Sequence, residues 1–81
     1  MKEVKISLNT VEKVKLFVNI ISKYPSDCDI VSESRKYVID AKSIMGIFSL
    51  DLSKNLTLVI HTDNDTIASE IEEAISDFKV A

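Results

Sequence analysis

The sequence predicts an α+β fold, an open-faced sandwich in which helices cover one face of a four-stranded sheet. Three observations carry this reading. Apolar residues alternate at Val4, Ile6 and Leu8, and again at Leu56, Leu58 and Ile60, with the two-residue period of half-buried strands. Between them Val11, Val14, Phe17, Val18, Ile21 and Tyr24 recur at helical spacing, as do Ile67, Ile71, Ala74, Ile75 and Phe78 near the end. Strand-like and helix-like stretches interleave as strand, helix, strand, strand, short helix, strand, long helix. Two amphipathic helices are thus available to cover one sheet face.

Each element has its local reason. Residues 2–8 alternate polar and apolar and form the first strand. Asn9-Thr10 follows, and Glu12 stands three residues after Asn9, as in a capping box. The first helix runs to about Lys23 and stops before Pro25, whose ring disfavours helical geometry in the preceding residue. Pro25-Ser26-Asp27 is a turn. Two short strands are expected at about Asp29–Ser34 and Lys36–Ala41, with Tyr37 and Ile39 on one face of the second and Val38 and Asp40 on the other. Ser43–Leu52 reads as a short helix containing Gly46, which costs roughly 1 kcal/mol relative to Ala and points to close packing or weak helicity. The last strand spans Leu56–His61, and Asp63-Asn64-Asp65 caps the last helix.

Composition narrows the function. Eighty-one residues, 46% hydrophobic and 28% charged, fit one globular domain over residues 1–81. No apolar run approaches the roughly 20 residues of a membrane span, and Met1–Lys5 lacks the apolar core of a signal peptide, so a cytoplasmic location without membrane attachment is expected. The single cysteine, Cys28, leaves no internal disulfide. Net charge is −3, with five lysines against two glutamates in residues 1–23 and six acids against Lys79 in residues 61–81. That balance, without a basic-aromatic cluster, argues against nucleic-acid binding. The basic start suits steering of an acidic protein partner, although ordinary solvated faces explain it as well.

Catalytic groups are sparse. One histidine and one cysteine exclude a conventional zinc site, one glycine excludes a glycine-rich phosphate loop, and no cofactor is implied. His61 lies at a strand end with no recognisable partner and reads as a plain surface residue. Cys28, beside a turn among acids, reads as inert and partly buried. Glu72-Glu73 and Asp63…Asp65 read as solvated or capping charges, so no enzyme is expected. Ser43 stands apart. It is placed to cap a segment, Ile44-Met45-Gly46-Ile47-Phe48-Ser49-Leu50, too apolar all round for every side chain to point inward. The excess should form an exposed apolar patch, which usually marks a binding surface. Phosphate on Ser43 would add roughly −1.5 to −2 charge beside it. The plainer reading of Ser43 is an ordinary cap.

Lys42-Ser43-Ile44-Met45-Gly46-Ile47-Phe48-Ser49-Leu50 resembles the Lys-Ser-Ile-Met-Gly-Val-Met-Ser-Leu stretch of the HPr family, the phosphocarriers of the bacterial sugar phosphotransferase system. Ser22-Lys23-Tyr24 is also similar to that family, and the order of elements fits it along essentially the whole chain. The resemblance implies a βαββαβα fold with an antiparallel sheet. The family's histidine lies at the start of the first helix, in a Gly-Ile-His-Ala-Arg-Pro-Ala motif, and passes phosphate from enzyme I to IIA proteins. Here that region reads Ser7-Leu8-Asn9-Thr10-Val11-Glu12-Lys13-Val14-Lys15, without the histidine, arginine, proline or glycine, and Glu12 brings negative charge to it. Ser43 matches the family's regulatory serine, and Ile44, Met45 and Phe48, with Lys23, match its docking residues. This combination resembles the Crh branch, which lacks the histidine, keeps the serine and acts in catabolite repression in Gram-positive bacteria. The arginine that would sit near a phosphoserine is absent as well.

The resemblance therefore implies a regulatory or interaction protein, switched at Ser43. Its partners would be HPr kinase, phosphotransferase-system proteins or a transcriptional regulator; the oligomeric state stays open. The alternatives are a divergent phosphocarrier using His61 or another acceptor, a small-molecule-binding regulatory module, and a degenerate paralogue with no retained partner.

Overall fold

The computed structural model describes residues 1–80. In chain order these form β1 (Lys2–Ile6), α1 (Val11–Ile21), β2 (Asp27–Val31), β3 (Val38–Asp40), α2 (Ile44–Phe48), β4 (Leu56–His61) and α3 (Asp65–Ala74), followed by a 3-10 turn at Ser76–Phe78. The four strands make one antiparallel sheet in the order β1-β4-β2-β3.

Register explains why only one face is covered. Val4 and Ile6 of β1 stand opposite Leu58 and Leu56 of β4, while Cys28 and Ile30 of β2 stand opposite Ile60 and Leu58. These side chains share a face and are buried with Val14, Phe17 and Ile21 of α1, Ile47 of α2, Ile71 of α3, and Ile75 and Phe78 beyond it. Phe17 and Phe78 meet edge to face, ring centroids 5.8 Å apart, so the first helix is locked to the chain's last turn. The alternate residues of the strands, among them Glu3, Lys5, Thr57, His61, Asp27, Asp29, Val38 and Asp40, lie on the open face.

Several boundaries differ from expectation. The cap of α1 is Thr10, not Asn9: its backbone is extended, and its Oγ1 accepts from Lys13 N at 3.1 Å. That register makes Lys13, not Glu12, the third residue of the helix, so no capping box forms. Val11 is exposed at the helix start, leaving Val14, Phe17 and Ile21 as the buried stripe. β2 begins at Asp27 because Cys28 already pairs with Ile60, and it ends at Val31, where the hairpin connection over residues 32–37, with Arg35 in the left-handed region (φ 62°), takes over. β3 is correspondingly short. α2 ends at Phe48 and not at Leu52, since Ser49 closes it by donating its hydroxyl to Gly46 O. Phe78 lies on the 3-10 turn, not on the last α-helix. The cap of that helix is Asn64, whose Oδ1 accepts from Thr66 N and Ile67 N.

Candidate functional site

The candidate site is built on α2. Asp40, at the end of β3, accepts from Ser43 N through its backbone carbonyl (3.0 Å), while its carboxylate accepts from Lys42 N (2.9 Å). This turn sets Ser43 in extended geometry at the head of the helix, where its Oγ accepts from Gly46 N at 3.1 Å. One of the helix's unpaired donors is thereby satisfied by the expected serine. Gly46 is there because of close packing: a Cβ would lie 3.0 Å from Ser43 Oγ and 3.4 Å from Ile39 Cδ1.

The apolar excess divides as the short length of the helix requires. Ile47 is buried, and Ile44 and Leu50 are partly buried against the core. Met45 is 78% exposed and Phe48 38% exposed. Lys23 is exposed just past the end of α1, where its N–H donates to Ile20 O. Lys42 Nζ donates to Tyr24 O at 2.7 Å and ties that turn to the segment entering α2. α2 packs on α1 and β3, so the end of α1 and the start of α2 belong to one surface. Leu16, exposed on α1, also lies outside the core, a feature its position off the Val14, Phe17, Ile21 stripe already signals.

At the other end of α1 no ionisable acceptor leads the helix. Thr10 caps it, and Glu12 is the acid of the first turn. The chain's one histidine, His61, closes β4, and it does have a partner: Nε2 lies 2.8 Å from Asp29 Oδ2 on the neighbouring strand. The pair is diagonal, since Asp29 stands opposite Val59 and His61 opposite Asp27. No local pattern joins residues 32 positions apart, so the sequence could not reveal this contact. Cys28 is more deeply placed than its turn suggested, buried within β2. Burial pushes its thiol up to about 11; Lys42 pulls the other way, and Asp29, Asp27 and Asp40 add to the rise. A thiol held neutral in this way is a poor nucleophile.

Comparison with known proteins fits this architecture. The family model described as "PTS HPr component phosphorylation site" matches residues 11–79. No curated protein sequence matches the chain. Among solved structures, HPr-C-His from Thermoanaerobacter tengcongensis is similar at 31% identity over 95% of this chain and 89% of that one, with a TM-score of 0.75. The phosphocarrier protein HPr of Bacillus anthracis is similar at 27% identity over 98% and 94%, with a TM-score of 0.69. A mycoplasma histidine-containing phosphocarrier protein shares the fold at 17% identity over 94% and 91%, with a TM-score of 0.65.

Proposed function

The chain belongs to the HPr family of the phosphotransferase system, and on that footing we propose that it acts as an interaction protein which docks partners through α2 and is switched at Ser43. The observation that carries the reading is α2 itself. Its cap is a serine, while Met45 and Phe48 turn outward beside it. Ile44 and Lys23 complete the docking surface in this proposal. The partners it implies are HPr kinase, proteins of the phosphotransferase system or a transcriptional regulator, as in catabolite repression.

A histidine relay has less support. Such a relay needs a phosphoacceptor at the start of α1, where Thr10 and Glu12 stand, and His61 is held by Asp29 at the end of β4. Phosphate on Ser43 adds charge at the edge of the exposed apolar residues and thereby alters which partner they accept. Incubation with HPr kinase and ATP, followed by intact-mass measurement, tests the switch. The reading expects one added phosphate on the native chain and none on Ser43→Ala. Equal labelling of both, or no labelling of either, removes Ser43 from the proposal. Incubation with enzyme I and phosphoenolpyruvate is expected to leave no acid-labile phosphate; a label on His61 would favour transfer.

A further inference from the structure

We propose that the outer edge of β3 pairs with the same edge of a second copy of this chain, antiparallel and centred on Val38. The two edges of the sheet are treated differently. At β1 the chain's own end covers the far side of the strand: Val80 N donates to Lys5 O at 3.0 Å, and Ser7 N donates to Phe78 O at 2.8 Å. At β3 nothing does so among the described residues. Tyr37 O accepts from Ser32 N and Ala41 N donates to Cys28 O, so alternate residues 37, 39 and 41 spend their backbone groups on β2. The backbone N–H and C=O of Val38, and the N–H of Asp40, therefore point away from the sheet.

The residues along this edge select the occupant. Tyr37 is 62% exposed and Val38 61% exposed, adjacent members of the small set of large apolar side chains left in solvent. Lys36 and Asp40, both exposed, lie two residues to either side of Val38 and have opposite charge. A lone lysine on an edge discourages pairing. An opposite charge placed symmetrically about the centre reverses that effect in a two-fold pairing. Antiparallel strands centred on Val38 set Lys36 of each copy against Asp40 of the other, and Tyr37 against Ile39. Parallel strands would set like charges together. Two of the nearby charges are already engaged, Arg35 with Glu3 at 3.2 Å and Asp29 with His61 at 2.8 Å. Such a contact is isologous and closes on itself. It is also small beside the roughly 1,200 Å² of a stable complex, so the dimer is transient and forms at high concentration.

Sedimentation equilibrium from micromolar to millimolar concentration, with a charge-swap pair, tests this. Lys36→Asp makes both ends of the edge acidic, and Asp40→Lys makes both basic. Each variant alone is expected to self-associate roughly tenfold more weakly than the native chain, while their equimolar mixture regains native strength. Asp40→Lys also removes the acceptor of Lys42 N, so a second readout avoids variants altogether. In the native chain, hydrogen exchange at the Val38 and Asp40 amides should slow as concentration rises. A chain that stays monomeric at millimolar concentration overturns the proposal. So does a mixture no stronger than its components, or a dimer that leaves the Val38 amide unchanged.

Discussion

At Ser43 the hydroxyl that caps α2 is also the atom a kinase would modify, and the two roles can be separated by substitution. Ser43→Ala removes the acceptor for Gly46 N and should cost about 1 kcal/mol in urea unfolding. Ser43→Asp keeps an acceptor and adds charge, so its stability should stay within a few tenths of a kcal/mol of native. Gly46 gives a second test at this scale. A glycine replaced by alanine in an open helix gains about 1 kcal/mol. Here the new Cβ would stand 3.0 Å from Ser43 Oγ, and the gain should not appear. A full gain on denaturation would contradict the close packing. Cys28, its thiol pushed up to about 11 by burial, should react with a thiol reagent at neutral pH only as fast as the chain opens. Ser43 was legible in the sequence because capping is a local matter. The depth of Cys28 was not, since it depends on which strands lie beside it.

Among the elements, α2 is where the packing of the fold meets the proposed docking surface. Its two kinds of apolar residue should behave differently on truncation. Ile47→Ala removes a fully buried side chain and should cost roughly 2–5 kcal/mol. Met45→Ala touches a side chain mostly in solvent and should change stability by less than about 0.5 kcal/mol while weakening partner binding. If Met45→Ala proved as destabilising as Ile47→Ala, the outward placement of Met45 would be wrong. The sequence marked this segment as holding more apolar surface than a small domain can bury, but it could not say which residues turn outward. That division depends on α2 ending at Phe48, where Ser49 takes over the last hydrogen bonds. The order of elements could be read from periodicity. The start of β2 at Asp27 could not, because pairing with His61 on a distant strand determines it.

Across the whole molecule, the two ends of the chain are tied together by charge as well as by packing. Glu72 on α3 meets Lys2 of β1 at 2.9 Å and Lys79 at 2.8 Å. The bonds from Lys79 and Lys2 hold its carboxyl below the usual carboxylate range. A carboxyl lowered in the folded state binds its proton more readily once unfolded. The stabilisation is therefore present above the ordinary carboxylate pKa and fades as pH falls through the lowered one. Glu72→Gln should lose about 0.2–1 kcal/mol at neutral pH, and the difference from native should vanish in strong acid. A difference that grows on acidification would contradict this tie. The contact was hidden in the sequence because Lys2 and Glu72 lie at opposite ends of it, and the acids around residue 72 read as a solvated face. The bare edge of β3 was hidden in the same way, since strand order decides which strands lie outermost. Docking of partners on α2 can be read residue by residue in an NMR titration of the labelled chain with HPr kinase. Such docking predicts amide shifts gathered at Lys42–Ser49 and at Lys23. Shifts confined to the open face around Asp29 and His61, or none at saturating kinase, would contradict it.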